Sequence, residues 1–330
     1  MKFLNLILSF FLFYSTTVKS QITPKADVSL QSRYLQVSDT KMNIQDNITI
    51  HASIDYNGHF EIHSLIQTGS AYGIGFNNIY NIKTNEITSD ISQLYLKQIY
   101  LKKYLNQKNY EIAIGAINPE SQIDSTLNLS PIGWIDGLRF KNKTAIGEIW
   151  YTLGHVQPLE PDVTDRFDNF KMNFIEISLK RSVFEKLLIE ARIQSLNNNH
   201  FTSISANTDL VHVFSKIIKT SLDFEYDLNN KSLRYSIGMH DLINSFSQIK
   251  SNINVSIDYE YISKDFSKDL QLLSRSMDAS FKGHAVILKT NLPISKKSGL
   301  NFFTNIRIGS NTNQLRVESG LSKSIFKSKK

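Results

Sequence analysis

The stretch Ile48 to Gln67 constrains the fold most, because apolar and polar residues alternate on both sides of the pair Asn57-Gly58. A period of two places alternate side chains on opposite faces of a β-strand. Glycine tolerates the positive φ of a tight reversal, so an Asn-Gly pair between two alternating runs predicts a β-hairpin.

The alternation also predicts the length of the hairpin loop. A two-residue loop would set Ile54 opposite Glu61 and mix apolar with polar residues on each face. A three-residue loop that ends at His59 sets Tyr56 opposite Phe60 and keeps the faces separate. Because a slip of one residue moves every side chain to the other face, the sequence favours the three-residue loop.

The same alternation recurs along the chain and predicts about 16 strands, with 14 to 18 as the range, most of them long enough to cross a bilayer when tilted. The run from Gln93 to Tyr104 also fits a helical period, but its tyrosines and flanking turns favour a strand. The predicted strands are 27–37, 48–56, 60–67, 93–104, 110–116, 134–140, 145–153, 170–183, 187–196, 201–213, 216–227, 233–242, 253–261, 281–292, 300–308 and 314–325.

Short connections follow the second, fourth, sixth and eighth strands, with the turn at Asn142-Lys143 as one of them, and a separate short link from Ser38 to Asp46 leads into the opening hairpin. Long polar connections follow the third, fifth and seventh strands. Short turns on one side, long loops on the other and an even strand number are typical of an outer-membrane barrel. We therefore predict an all-β fold, an antiparallel transmembrane β-barrel over residues 21–330, with short periplasmic turns and longer extracellular loops.

The first 20 residues predict a secretory signal peptide, since Lys2 precedes an apolar run from Phe3 to Tyr14 and a Val18-Lys19-Ser20 cleavage context. That run is too short to span a bilayer as a helix. A retained membrane anchor is the alternative. The chain contains no cysteine, which excludes a lipoprotein site, disulfides and thiolate metal sites.

Charged residues within the strands favour a membrane barrel over a soluble β-protein, because a dry core would not accept them unpaired whereas a watered lumen would. Aromatic residues near strand ends, such as Tyr56 and Tyr226, fit interfacial girdles. Rows of charge would shape the field across a pore, or would only pair across strands and solvate the wall. The candidate pore-lining residues are Arg33, Arg139, Arg192, Arg234, Arg307, Arg316, Glu111, Glu148, Glu190, Asp258 and Glu260.

Other motifs predict no catalytic site, cofactor or metal. Gly69, Gly73 and Gly75 precede no convincing helix, so they fit a flexible loop better than a dinucleotide site. His51 and His63 fall on diagonal positions of the polar face and fit lumen lining better than a metal cage. The net charge of +7 is scattered over strands and turns, which argues against nucleic acid as a partner. We therefore expect no enzyme activity.

Three segments resemble Gram-negative porins related to the phosphate-selective and alginate-export channels. They are Thr68-Gly69, Gln93 to Leu101, and the run from Trp134 to Phe140, and the resemblance covers mainly residues 26–155. It implies a monomer or homotrimer that passes small anionic or sugar-like solutes through a constriction lined by arginine. Arg139 is the one arginine of this chain that the resemblance assigns to that lining by its position.

These features together predict a channel in the cell outer membrane that passes small hydrophilic, and by resemblance anionic, solutes by diffusion. Its expected partners are outer-membrane lipid, those solutes and the barrel assembly machinery. A plugged barrel that acts as a surface or adhesion protein is one alternative. A soluble secreted β-protein that binds a small ligand is the other.

Overall fold

A computed structural model of the protein shows a closed antiparallel β-barrel of 16 strands. It describes residues 22–38, 41–70, 72, 75–87, 93–106, 108–119, 127–166, 171–183, 186–213, 216–243, 253–273, 282–295, 298–310 and 315–327. The predicted signal peptide and the tail from 328 to 330 lie outside these ranges. The barrel strands are β1 Ile22–Val37, β2 Lys41–Tyr56, β3 Phe60–Gln67, β6 Tyr95–Leu105, β7 Tyr110–Ile117, β8 Ile135–Thr144, β9 Gly147–Val156, β10 Met172–Val183, β11 Leu187–Leu196, β12 Asn199–Val213, β13 Lys216–Asp227, β14 Ser232–His240, β15 Asn254–Ile262, β16 Gly283–Ser295, β17 Leu300–Gly309 and β18 Leu315–Lys327.

Each barrel strand pairs with its neighbour in sequence, and β1 closes the ring by pairing with β18. Two further strands, β4 Asn77–Asn81 and β5 Glu86–Ile87, lie in the first long loop, where β4 pairs with the start of β2. One short helix, α1 Lys268–Leu273, lies in the last long loop. Among the described residues, no helix is long and apolar enough to cross a membrane.

The opening hairpin has the predicted register. Tyr56 pairs with Phe60 and Ile54 with Ile62, so the loop contains three residues. Asn57 and Gly58 both have positive φ, at 55° and 67°. The side chain of Asp55 also caps the turn, because its Oδ1 accepts a bond from the N–H of Gly58 at 2.8 Å.

Two predicted connections were wrong. The predicted link from Ser38 to Asp46 belongs largely to β2, because Asn43, Gln45 and Asn47 point inward and bond loop groups there. The predicted turn at Asn142-Lys143 is strand, and the chain reverses two residues later. Both errors arose because Asn- and Lys-rich segments were taken for turns, although ladder pairing accepts polar side chains where one face of the strand is polar.

The outward face of the barrel is apolar and exposed. Ile62, Ile114, Ile193 and Ile308 are 48–61% exposed, which is unusual for so many large aliphatic side chains on a water-soluble protein. Each alternates with inward neighbours that are more buried. The four longest connections, 68–94, 118–134, 157–171 and 263–282, all lie at one end of the barrel. We call this the long-loop end and the opposite one the short-turn end.

Candidate functional site

All eleven predicted pore-lining residues lie on the inward face of the barrel, and they differ in exposure. Eight of them are 7% exposed or less, namely Arg139, Arg192, Arg234, Arg307, Glu111, Glu190, Asp258 and Glu260. The side chains of Arg33, Glu148 and Arg316 are 12%, 14% and 20% exposed. Glu111, whose side chain is 9% exposed, lies between the buried and the partly exposed residues, and the sequence pattern treated all eleven alike.

Ion pairs join several of these side chains within a strand, between neighbouring strands or, for Arg307 and Glu260, across the intervening strand β16. Arg307 lies 2.7 Å from Glu260, and Asp258 lies 2.9 Å from Lys289. Glu318 accepts bonds from both Arg33 and Arg316, at 2.9 and 2.7 Å. Each acid compensates a cation whose desolvation would otherwise be costly.

Three of the predicted arginines hold a loop inside the barrel. The guanidinium of Arg139 donates to the carbonyl oxygen of Asn118 at 2.9 Å, where the loop 118–134 begins. On the other side of the lumen, Arg234 donates to the carbonyl oxygen of Leu127 at 2.7 Å, and Arg192 donates to the side-chain oxygen of Asn128. The loop therefore reaches from its origin between β7 and β8 to the wall formed by β11 and β14.

Arg234 joins this loop to a second one. Its Nε forms an ion pair with Glu225, and its guanidinium lies 4.9 Å from the centre of the Phe266 ring in the last long loop. The N–H of Ser130 donates to the carbonyl oxygen of Leu273 at 2.9 Å, which links the same two loops again. Because arginine carries five donors in a fixed plane, one side chain can bind an acid of the barrel wall and a loop carbonyl while its face packs on an aromatic ring.

An apolar cluster lies inside the barrel at the long-loop end. We call its loop-borne members, together with the buried Leu127, the plug: Tyr72, Leu127, Leu129, Trp134, Phe266, Leu270 and Leu273, each of them 6% exposed or less. The plug packs against inward wall residues such as Phe174 and Phe201, which are fully buried. Three long loops thus share one small core inside the barrel.

Arg166 fixes a further long loop to the plug. It donates to the carbonyl oxygen of Lys97 at 2.6 Å, pairs with Asp136 at 3.0 Å and lies 4.5 Å from the ring centre of Trp134. Burial lowers the pKa of Arg166 to about 10, in spite of the opposing effect of Asp136. The guanidinium remains charged at neutral pH, so it can hold these partners under ordinary conditions.

The short-turn end has a different lining. Charged side chains of alternating sign on seven successive barrel strands form an arc that we call the charged belt: Glu61, Lys102, Glu111, Lys141, Glu148, Lys180 and Glu190. Within hairpins, Lys102 lies 3.6 Å from Glu111, and Lys141 lies 3.1 Å from Glu148. Each member lies within three residues of the end of its strand, beside a short turn.

Lys102 and Lys141 are absent from the predicted lining, although they face the lumen. Lys141 lies one residue beyond the predicted strand 134–140, and Lys102 lies in the strand whose period was ambiguous. Extending each alternation to the next turn would have revealed both lysines. The loop contacts of Leu127 and Asn128 have no comparable signal in the sequence.

The histidines of the opening hairpin lie at the short-turn end. His63 bonds Glu61 at 2.8 Å and stacks on Tyr100, with ring centres 4.9 Å apart. His51 lies opposite Asp27 on β1. Among the described residues, no group of three or more histidine, aspartate and glutamate side chains is arranged to hold a metal ion.

Comparisons with known proteins place the fold among bacterial porins. A scan against protein-family models finds no match, and a search of curated proteins finds none either. The chain is similar to Pseudomonas putida OprB in its high-pH structure, with a TM-score of 0.57, 10% identity and coverage of 92% of this chain and 94% of that one. It is also similar to a variant of the Rh. blastica porin, with a TM-score of 0.56, 8% identity and coverage of 92% and 100%. Salmonella typhi OmpF, in complex with daunomycin, gives a TM-score of 0.55 at 8% identity, with coverage of 92% and 97%. At these identities the similarity establishes a porin-like barrel fold.

Proposed function

We propose that this protein is a porin-like channel of the bacterial outer membrane that passes small hydrophilic solutes by passive diffusion. The observation that carries the proposal is the contrast between the two faces of the barrel wall. Isoleucine side chains such as Ile114 and Ile193 are exposed outward, while charged side chains such as Lys141 and Glu148 line the inside. Outward apolar and inward polar residues are what a lipid-embedded, water-filled barrel requires.

The same contrast supports the partners of the channel. The outward face would contact outer-membrane lipid, and such a barrel would depend on the barrel assembly machinery for insertion. The termini of the barrel, at Ile22 and Lys327, both lie at the short-turn end, which we assign to the periplasm. A homotrimer or a monomer, and the preference for anions implied by the resemblance to phosphate-selective and alginate-export porins, both stay predictions.

Single-channel recording tests the proposal. The folded, purified protein should produce discrete current steps in a planar lipid bilayer, and the protein should fractionate with outer membranes. Preparations that retain β-structure but produce no steps would refute the channel. Recovery in the periplasmic wash would favour the soluble β-protein, against which the exposed outward face argues.

The plug supports a second candidate, a non-conducting barrel that acts as a surface or adhesion protein. Its apolar members are buried at the long-loop end, where Leu129 and Trp134 are 6% and 0% exposed. Exposed apolar side chains on the outer loops, such as Ile87 and Leu159 at 73% and 72%, would then offer contacts to a partner. Folded protein that adheres to a surface but carries no current would favour this candidate.

A further inference from the structure

The charged belt differs from a row of like charges, because its sign reverses at every strand. Glu61 lies directly opposite Lys102, Glu111 opposite Lys141, and Glu148 opposite Lys180. Lys102 and Lys141 are each offset by two residues from the acid of the following strand, but their side chains still approach Glu111 and Glu148 to 3.6 and 3.1 Å. The alternation ends at Glu61, because the residue opposite it on β2 is a second acid, Asp55, whose carboxylate caps the hairpin loop.

The belt is also accessible to solutes. The side chains of Glu61, Lys102, Glu111, Lys141 and Glu148 are 22%, 11%, 9%, 12% and 14% exposed. Glu190, at the far end, is 2% exposed and lies 3.8 Å from Arg192. The six members from Glu61 to Lys180 are three acids and three lysines, so their charges sum to zero; the exposed Lys143, opposite Glu148 at the end of β8, lies outside this set.

An alternating row acts on ions differently from a patch of one sign. The potentials of neighbouring charges cancel at distances beyond their spacing, and salt screens the remainder within about 8 Å at physiological ionic strength. A simple cation or anion near the middle of the lumen therefore meets little net potential. A lumen selects and steers ions of one sign when its wall carries charges of the other sign only, because such charges add up to a strong potential.

Close to the wall, the belt favours a different kind of solute. A molecule that carries an ammonium and a carboxylate a few ångström apart can meet an acid and a lysine on neighbouring strands at once. Both of its charges are then compensated, whereas a simple ion meets one partner and one like charge. Charge-assisted hydrogen bonds of this kind are stronger than neutral ones.

We infer, resting on the proposed function, that the belt gives the channel little preference between cations and anions. We infer also that it makes the channel more permeable to small zwitterions of the α-amino acid class than to neutral solutes of similar size. Two observations carry this inference: Glu111 lies opposite Lys141 and Glu148 opposite Lys180 in the cross-strand register, and Lys141 forms a 3.1 Å ion pair with Glu148. It differs from the preference for anions that the family resemblance implies, so one set of experiments decides between them.

The first measurement is the reversal potential of reconstituted protein in a potassium chloride gradient. We expect the permeability ratio of the two ions to lie within about twofold of unity, because the accessible belt is neutral. Lys141→Glu places three acids on adjacent strands and should shift the ratio several-fold toward cations. Lys231→Glu, an equal change of charge in an exposed turn at the long-loop end, is the matched control and should leave the ratio unchanged.

The second measurement compares swelling rates of proteoliposomes in alanine and in glycerol, which are similar in size. The wild type should admit alanine faster. The double variant Lys141→Gln, Glu148→Gln keeps the net charge but removes one acid–lysine pair. The ratio of the alanine swelling rate to the glycerol swelling rate should therefore fall, while the reversal potential should not change. This variant separates the local pairing from the net charge of the lumen.

The outcomes distinguish this inference from the proposed function. A wild-type channel that strongly prefers either ion, or that admits alanine no faster than glycerol, would overturn the inference and leave the channel intact. Folded protein that gives neither current nor swelling would overturn the proposed function itself.

Discussion

The two ends of the lumen use charged side chains in different ways. At the long-loop end, Arg139, Arg192 and Arg234 are 6% exposed or less and donate to loop groups. At the short-turn end, Lys102 and Lys141 remain partly exposed and lie beside acids on neighbouring strands. The same inward positions of a barrel thus serve to hold a plug at one end and to line a more exposed wall at the other.

The difference follows from how much water reaches each cation. A buried guanidinium must have its donors satisfied, so the carbonyl oxygens of the loops become necessary partners. Lys102 and Lys141, at 11% and 12% exposure, keep more contact with solvent, and the contribution of an ion pair to stability falls as its partners become more exposed. We therefore expect substitutions of the buried arginines to change folding and loop position, and substitutions in the belt to change selectivity with little loss of stability.

Arg234→Ala should have the largest effect, because it breaks the packed end at the point where two loops meet. Loss of the guanidinium leaves Glu225 buried without its ion pair, and breaking such a pair costs about 3–5 kcal/mol. It also releases the carbonyl oxygen of Leu127 and the face of Phe266. Thermal unfolding should occur at lower temperature, and single-channel conductance should rise as the plug loosens.

Two further variants control for a folding defect. Arg316→Ala removes an inward arginine whose side chain is 20% exposed, and its partner Glu318 keeps Arg33, so the conductance should stay close to that of the wild type. Asn128→Ala removes the loop acceptor of Arg192 without touching the barrel wall. If Asn128→Ala and Arg234→Ala both leave conductance unchanged in folded protein, these bonds do not hold the plug in the conducting path.

Ile177→Lys tests whether the contrast between inside and outside is set by lipid. Ile177 is 45% exposed near the middle of β10 and faces outward. A lysine at the bilayer midplane costs a transmembrane barrel about 2–4 kcal/mol. The fraction of protein that folds into lipid vesicles should therefore fall for Ile177→Lys. It should stay close to that of the wild type for Ser182→Lys, since Ser182 is an exposed inward residue of the same strand. Equal tolerance of both would contradict the membrane-embedded barrel.

Gly147→Ala should perturb the belt through the backbone. Gly147 has φ of 144°, and an added Cβ would lie 2.3 Å from the carbonyl oxygen of Lys180. Strain and clash at such a site typically cost about 1–3 kcal/mol, and relief would push β10 away from β9, where Glu148 faces Lys180. Lower thermal stability together with an altered permeability ratio is expected. Gly58→Ala, which meets no atom within 4 Å, should affect the ratio less.

The sequence predicted the barrel well because the signal is local and repetitive. Alternation reports which face of a strand is apolar, and parity alone decided the three-residue loop between Tyr56 and Phe60. The 16 strands followed from the same rule. Errors arose where a polar strand end resembled a turn, as at Asn142-Lys143, and this shortened β8 enough to hide Lys141.

The plug could not be predicted in this way. The bond from Arg234 to the carbonyl oxygen of Leu127 joins residues 107 positions apart, and every residue offers such an oxygen. No periodicity marks which of them a buried arginine will meet. The sequence therefore indicated that Arg139, Arg192 and Arg234 face inward, but it could not separate a residue that contacts solute from one that holds a loop.

Arg139→Ala should have the smallest effect on ion selectivity, and it tests directly whether burial separates the arginines of the long-loop end from the charged belt. The family resemblance places this arginine in the lining of a constriction, which predicts that its loss removes any preference for anions. In the structure its side chain is buried at 1% exposure, donates to Thr152 and to the carbonyl oxygen of Asn118, and lies 5.6 Å from the ring centre of Trp150. A charge shielded in this way contributes little to the field that a passing ion meets, so the reversal potential should hardly move, while conductance should change as the start of the loop is released.

Lys141→Glu, one inward position further along the same strand, should move the reversal potential clearly. If the two variants exchange these behaviours, burial is not what separates the roles of the charged residues in this lumen.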